Sequence, residues 1–191
     1  MDFKIVVIGA SLGGFNALQV ILAQLPKNLP VAVAIAQHRH RSSDGELINY
    51  LQETSTLPVR EAEDKQPIIP GIVFLAPADY HLLIEPGYFA LSKDAPVTYA
   101  RPSIDVLFES AADAYEEQVI GIILTGASND GAKGLAKIQA YGGTAIVQKP
   151  DTAECPVMPE AAIKAVKKPQ ILPLAEIVPF LTSQIKCQVL I

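Results

Sequence analysis

The chain has 191 residues, of which half are hydrophobic and only 18% are charged, so it can bury the core of a compact α/β enzyme. Its net charge of −5 at pH 7 argues against a broad surface for nucleic acid or anionic membranes. We therefore predict one domain over residues 1–191 rather than a flexible adaptor.

The cysteines and the first residues of the chain indicate the cellular compartment in which we expect the protein. Cys155 and Cys187 are far apart without metal-ligand spacing, so we expect free thiols and neither zinc nor a disulfide framework. The first strand begins at residue 3, so we expect no leader. No apolar run approaches the ~20 residues that cross a bilayer. The sequence predicts a soluble cytoplasmic protein without membrane insertion, and it predicts no cofactor or metal.

The apolar run of the first predicted strand, at residues 5–8, leads into a glycine-rich turn at 9–14 (GASLGG) and a helix at 15–24. Its continuous β-branched run is typical of a strand buried on both faces of a parallel sheet. The turn presents Ser11 between small neighbours, as a serine nucleophile on a tight strand-to-helix turn requires. A glycine-rich turn after a first strand more often binds phosphate, so this alternative stays open here.

The middle of the chain departs from regular alternation. A second strand is predicted at 31–36, then a helix capped by Ser42, Ser43 or Asp44, then a short strand at 58–61. Six prolines punctuate residues 62–103, around short apolar runs at 72–75, 81–84 and 88–91. We predict a β-hairpin-rich insertion or edge region there rather than another βα unit.

Regular alternation returns in the second half of the chain. Its predicted elements are a helix at 104–115, a buried strand at 119–124, a loop at 125–131, a helix through 135–140, a strand at 144–147, a loop at 150–159, a helix at 160–166 and a last helix from Pro173 to about 185. Without internal repeats or a linker, these elements indicate one α/β domain.

Three predicted strands lead into polar residues soon after their apolar runs: Ser11, His38 and Asp130. In open α/β sheets the ligand crevice lies outside the carboxyl ends of the strands. If the three strands are parallel neighbours, a hydroxyl, an imidazole and a carboxylate meet at one edge. His38 can then take the proton of Ser11, and Asp130 can orient and stabilise the imidazolium.

An acyl-transfer site also needs backbone N–H donors for its oxyanion. The loops at 9–14 and 126–131 can present them, and Leu12 and Ala127 are our candidate donors. Other interpretations remain open at each position. Ser11 could be a turn residue, Asp130 a helix N-cap and His38 a surface loop residue. His40 and His81 compete with His38 for the role of base, and we prefer His38 because it lies nearer a strand end, although spacing alone does not decide.

Several motifs occur in a recognisable order. They lie at 9–14 (GASLGG), 37–38 (QH), 76–81 (APADYH), 101–108 (RPSIDVLF) and 124–134 (LTGASNDGAKG), followed by Met158-Pro159 and Ala161-Ala162. In this order the chain resembles the catalytic domain of the CheB-type chemotaxis methylesterases over nearly its whole length.

The resemblance implies a doubly wound, mostly parallel sheet with helices on both faces. It also implies a serine hydrolase that demethylates glutamyl methyl esters of chemoreceptors and in many members deamidates receptor glutamines. Carried over residue by residue, Ser11 is the nucleophile, His38 the base and Asp130 the orienting carboxylate. The implied partners are the methylated cytoplasmic helices of chemoreceptors, and a separate or fused receiver domain is a candidate regulator.

The chain departs from the family pattern around this site. The family usually has threonine at Leu12, Met-Pro at Arg39-His40, Met-Gly at Ala127-Ser128, and arginine at Tyr80 and at Glu160. No triad position is lost, but we expect these changes to alter receptor preference. The receiver domain that usually precedes this domain has no counterpart among these residues, so we expect either a different regulation or a longer chain of which this is the catalytic part.

Two other classes of function are weighed against the hydrolase. A nucleotide-binding protein would use the turn at 9–14, but its Gly-x-x-x-Gly-Gly spacing departs from Gly-x-Gly-x-x-Gly, and Gln37-His38 stand where a ribose-binding acid is expected. A non-catalytic interaction domain of the same fold would keep the three polar residues without using them.

Overall fold

The computed structural model describes residues 3–40 and 46–186. The strands are β1 (Ile5–Ala10), β2 (Ala32–Gln37), β3 (Val59–Glu61), β4 (Val73–Leu75), β5 (His81–Glu85), β6 (Tyr88–Ser92), β7 (Val119–Ile123), β8 (Thr144–Gln148) and β9 (Gln170–Leu172). The helices are α1 (Gly14–Gln24), α2 (Glu46–Thr54), α3 (Ile104–Tyr115), α4 (Ala132–Ala140), α5 (Val157–Ala165) and α6 (Leu174–Lys186).

Seven strands form one parallel sheet in the order β3-β4-β2-β1-β7-β8-β9. The chain builds outward from β1 in one direction, then returns to the other side of β1 with β7. This reversal is where ligands bind in doubly wound folds, because the connections diverge there and leave a crevice. The prediction that the strands before Ser11, His38 and Asp130 are parallel neighbours is confirmed, since β1 lies between β2 and β7.

The sheet has an apolar layer on each face. Side chains alternate along β1, so Ile5 and Val7 join the core beneath α3, α4, α5 and the hairpin, whereas Val6 and Ile8 join the core beneath α1, α2 and α6. All residues of β1, β2 and β7 are buried, as their continuous apolar sequences predict. The predicted α/β class with helices on both faces is confirmed.

The proline-rich region has two parts. Strands β5 and β6 form the predicted antiparallel hairpin, which packs beside the sheet through Phe89 against Phe74. The run at Val73–Leu75, however, lies inside the main sheet between β2 and β3, so it is not part of an insertion. Its three residues are fully buried, and a three-residue run is too short to reveal its pairing from sequence.

Other differences concern short elements and helix ends. Strand β9 was not predicted, because its three residues lie at the sheet edge and two of them are exposed. Helix α4 begins at Ala132 and α5 at Val157, each three residues before the start predicted from sequence. The predicted caps Ser42, Ser43 and Asp44 lie outside the described residues. No helix in the described part of the chain is long and apolar enough to span a membrane.

Candidate active site

Ser11 lies in the turn between β1 and α1, where the backbone is tightly held. Its N–H donates to the carbonyl of Thr125 at 3.0 Å, and its own carbonyl accepts the N–H of Gly14 at 2.8 Å. Gly13 has φ 76°, which a side chain would strain, and α1 begins at the next residue. The positive end of the α1 dipole therefore lies beside Ser11, where it favours negative charge.

His38 and Asp130 form the closest side-chain pair of the site. Nε2 of His38 lies 2.7 Å from Oδ2 of Asp130, although the two residues are 92 positions apart. The backbone N–H of His38 donates to the carbonyl of Ala10 at 2.9 Å, which ties the backbone of His38 to the residue before Ser11. Since Nε2 faces the carboxylate, Nδ1 is the ring nitrogen left to accept a proton.

Asp130 is buried to 1% exposure, yet its carboxylate has four donors. Oδ1 accepts the hydroxyl of Ser103 at 2.9 Å and the N–H of Asp105 at 3.0 Å, and Oδ2 accepts the N–H of Ile104 at 2.7 Å besides His38. Burial by itself would raise the pKa of Asp130, but the hydrogen bonds from His38, Asp105 and Ile104 and the charge of His38 outweigh it and lower the pKa. The carboxylate is therefore ionised at neutral pH.

Three of the four donors to Asp130 come from the N-cap and the first turn of α3. Ser103 caps this helix by accepting the N–H of Val106, and it also donates its hydroxyl to Asp130. Asp130 thus occupies the anion site at a helix N-terminus, where free N–H groups and the dipole stabilise negative charge. Nothing in the local sequence signals this contact, because the helix begins 26 residues before Asp130.

Asp105 is a second buried carboxyl beside Asp130. Burial raises its pKa, the N–H of Gly134 lowers it through a 2.8 Å hydrogen bond, and the charges of Asp130 and Glu109 raise it again, so the pKa reaches about 6. Its backbone N–H holds Asp130 while its side chain holds the first turn of α4. Asp105 therefore joins the two helix N-termini that flank the candidate carboxylate.

Gln37 connects the serine turn with the histidine. Its Nε2 donates to the carbonyl of Ser11 at 2.9 Å and to that of His38 at 3.0 Å. A Cβ on Gly14 would collide with Oε1 of Gln37, so the bare backbone of the second glycine makes room for this amide. In dinucleotide-binding folds an acidic residue at this strand end binds the ribose, whereas here Gln37 hydrogen-bonds to the protein's own backbone. The signal that could have found it is a polar residue at the end of a buried apolar strand.

The loop after β7 closes the other side of Ser11. The hydroxyl of Thr125 donates to the carbonyl of Leu12 at 2.9 Å and accepts the N–H of Cys155 at 2.8 Å. A Cβ on Gly126 would collide with Sδ of Met158 and lie 2.7 Å from Cβ of Ser11. Within the described residues, the N–H groups of Leu12 and Ala127 donate to no protein acceptor, which leaves both free for a ligand oxygen.

The structure separates the three histidines that compete in the sequence. His81 is buried, and its ring nitrogens contact the N–H of Ser103 and the carbonyl of Ala95, so its role is structural. His40 is exposed and lines a cleft of about 350 Å³ together with His38. His38 also lines a second cleft, of about 410 Å³, together with Phe15, Gln37, Arg39, Glu46, Leu47 and Tyr50.

Among the described residues, no group of three or more His, Cys, Asp or Glu side chains is arranged to hold a metal ion.

The fold defines a doubly wound α/β protein whose candidate site lies at the carboxyl ends of its central strands, where enzymes of this class bind their substrates. The family model described as CheB methylesterase matches residues 6–181. This chain therefore belongs to the CheB methylesterase family.

Individual relatives agree with this membership. A Leptospira interrogans protein, which carries the provisional name protein-glutamate methylesterase/protein-glutamine glutaminase, is 46% identical over 93% of this chain and 92% of its own length. The protein-glutamate methylesterase/protein-glutamine glutaminase of Thermotoga maritima is 38% identical over 91% of this chain and 52% of its own length. The chain thus spans about half of that relative.

A solved structure matches the whole arrangement. The crystal structure of the Thermotoga maritima CheB methylesterase catalytic domain is similar with a TM-score of 0.91 and 36% identity. The match covers 96% of this chain and all of the Thermotoga chain. The predicted family and fold are confirmed by these matches.

Proposed function

We propose that this protein hydrolyses the γ-methyl esters of glutamate side chains on chemotaxis receptors, with Ser11 as nucleophile, His38 as general base and Asp130 as orienting carboxylate. The observation that carries the proposal is the 2.7 Å hydrogen bond between His38 and a buried, ionised Asp130, directly beside the serine turn of a CheB family member. A hydroxyl, an imidazole and a carboxylate at one strand edge are what acyl transfer needs.

The first half of the reaction forms an acyl-enzyme. Oγ of Ser11 attacks the ester carbonyl while Nδ1 of His38 takes its proton, which gives a tetrahedral oxyanion. The N–H groups of Leu12 and Ala127 and the α1 dipole stabilise that oxyanion. The C–O bond to the methoxy group then breaks, and His38 returns the proton to the leaving oxygen to release methanol.

The second half regenerates the enzyme. A water molecule gives its proton to His38 and attacks the acyl carbon, and collapse of the intermediate returns the proton to Oγ of Ser11 and frees the glutamate carboxylate. Asp130 remains ionised throughout and stabilises the imidazolium each time it forms. Its four donors suit this role, since they keep it charged and immobile.

The same groups support deamidation of glutamine. Attack of Ser11 on a side-chain amide would give the same acyl-enzyme, with ammonia leaving in place of methanol. The names of the Leptospira and Thermotoga relatives join the two activities. We propose the glutaminase activity as a second reaction of the one site, with cytoplasmic receptor helices as substrate and a receiver domain as candidate regulator.

The decisive experiment measures methanol release from a methylated cytoplasmic receptor fragment. Ser11→Ala removes the nucleophile, so we expect turnover to fall on the order of 10⁴- to 10⁶-fold, by analogy with triad knockouts. Ser183→Ala, an exposed serine on α6, is the matched control and keeps full turnover. Full turnover by Ser11→Ala would refute the assignment of the nucleophile.

Labelling separates the hydrolase from a non-catalytic domain of the same fold. An activated serine reacts with a serine-directed phosphonate, and mapping the adduct to Ser11 by mass spectrometry would support the proposal. Absence of labelling in protein whose circular dichroism is that of the folded state would favour the interaction domain instead.

A further inference from the structure

A two-residue turn projects from the irregular region beside His38. Val97 and Ala100 exchange both backbone hydrogen bonds, at 3.1 and 2.9 Å, and enclose Thr98 and Tyr99. The φ angles of these two residues are 50° and 62°, so both lie in the left-handed region that favours glycine and asparagine. The fold therefore holds two ordinary side chains in a strained backbone conformation.

The base of this turn is anchored firmly. Arg101 donates to the carboxylate of Asp79 and to the carbonyls of Lys93 and Asp94, and the closest of these contacts, to Asp79, is 2.6 Å. His81 adds a 3.1 Å contact to the carbonyl of Ala95. The base is thus rigid on both sides, and the tip is presented in a defined place.

Tyr99 at the tip buries none of its surface, with a relative exposure of 103%. A fully exposed aromatic ring contributes no burial free energy to the folded state, so it does not offset the cost of the strained backbone. Tyr99 nevertheless lines the 350 Å³ cleft that His38 also lines. The position of the ring suits contact with a molecule bound at the candidate site.

Other exposed apolar side chains stand on segments that meet near Ser11 and His38. Leu12 follows the serine and is 56% exposed, Tyr50 packs against Phe15 in the second cleft and is 50% exposed, and Val157 precedes Met158 and is 47% exposed. We call Leu12, Tyr50, Tyr99 and Val157 the apolar rim. The apolar rim comes from four separate segments, so it spans more surface than a methyl ester can cover. Exposed apolar side chains spread over such an area are typical of contact with a polypeptide.

We propose that Tyr99 is a specificity-determining residue, which packs against an apolar side chain of the substrate polypeptide next to the esterified glutamate. The inference rests on the proposed function and deepens it, because it says how the enzyme distinguishes a receptor segment from a free ester. Tyrosine suits this role, since its ring supplies a large contact area with only two rotatable bonds.

The test compares two substrates in the same variants. The methylated receptor fragment reaches the rim, whereas p-nitrophenyl acetate reaches only Ser11 and reports its chemistry. Tyr99→Asn removes the ring but tolerates the left-handed backbone, so the turn is kept, and Tyr99→Phe keeps the ring. Tyr141→Asn, an exposed tyrosine at the far end of α4, is the matched control.

We expect Tyr99→Asn to raise KM for the receptor fragment about tenfold relative to the small ester, with kcat for the fragment little changed. Tyr99→Phe should restore most of the affinity, and Tyr141→Asn should behave as wild type. Equal losses on both substrates, or no loss on either, would overturn the inference while leaving the proposed function intact. A wild type that releases no methanol would instead remove the proposed function, and this inference with it.

Discussion

Asp105 and Asp130 are neighbouring buried carboxyls whose pKa values move in opposite directions. Burial alone would raise the pKa of Asp130, but its four hydrogen-bond donors, one of which is the imidazole of His38, stabilise the carboxylate and lower the pKa. Asp105 is also buried, but it has fewer donors and lies beside the negative charge of Asp130, so its neutral form is favoured and its pKa is raised. At the scale of single residues, the number of hydrogen-bond donors decides which carboxyl can serve as the constant partner of a base.

The raised pKa of Asp105 makes a prediction about stability. The folded state holds this proton up to a pH of about 6 and the unfolded state only to 3.8, so stability is fully present below 3.8 and falls as the pH rises through about 6. Asp105→Asn cannot ionise, so its free energy of unfolding relative to wild type should increase between pH 4 and pH 7.5, by on the order of 2 kcal/mol.

Urea denaturation at the two pH values measures this change. Glu53→Gln, an exposed carboxyl on α2, is the control, because it removes one acidic charge away from Asp105 and should leave the pH dependence as in wild type. A difference between Asp105→Asn and wild type that stays constant with pH would contradict the prediction.

At the scale of elements, glycines let the serine turn pack closely against the end of β2 and the loop after β7. Gly13 gives α1 its left-handed start, Gly14 admits the amide of Gln37, and Gly126 lets the loop after β7 contact Ser11. Each glycine stands where a Cβ would strain the backbone or meet an atom of another element. The positions of the serine, the histidine and the loop are therefore coupled.

Gly126→Ala tests this coupling. Its methyl group would meet Sδ of Met158 and Cβ of Ser11, so the serine must move, and we expect kcat on the receptor fragment to fall on the order of 100-fold. Gly87→Ala is the control: its φ of 92° makes the change costly for stability, but its Cβ would meet nothing within 4 Å. Wild-type kcat in Gly126→Ala, or an equal loss of kcat in Gly87→Ala, would refute the coupling.

At the scale of the whole molecule, the hairpin β5–β6 is joined to the main sheet by an aromatic contact. The rings of Phe74 and Phe89 lie 4.7 Å apart, and both side chains are fully buried. The contact lies in the core beneath α3, which carries the donors to Asp130 at its first turn. The hairpin layer thus supports the site from a distance.

Phe74→Ala should lower the free energy of unfolding by about 3–5 kcal/mol, because it removes a large buried ring and leaves a cavity. Tyr88→Ala removes an exposed ring of the hairpin and should lower the free energy of unfolding by less than about 1 kcal/mol. Denaturant unfolding followed by circular dichroism measures both. Similar losses in the two variants would show that the aromatic contact does not join the layers.

The sequence by itself determined the α/β class, the central strands and the polar residues that follow them. These features depend on local patterns: continuous apolar runs, glycine at turns, and residues directly after strand ends. The helix predicted at about 104–115 agrees with the observed Ile104–Tyr115, whose start the structure shows to be capped by Ser103.

Tertiary structure decided what depends on contacts between distant segments. Only the packed sheet puts His38, rather than His40 or His81, on Asp130. The packing of α3 adds the further donors that, together with His38, keep Asp130 charged. The pairing of β4 inside the sheet is equally non-local, because a three-residue run fits any neighbour. Local sequence sets the conformation of a segment, but burial and hydrogen bonding between segments choose its partners.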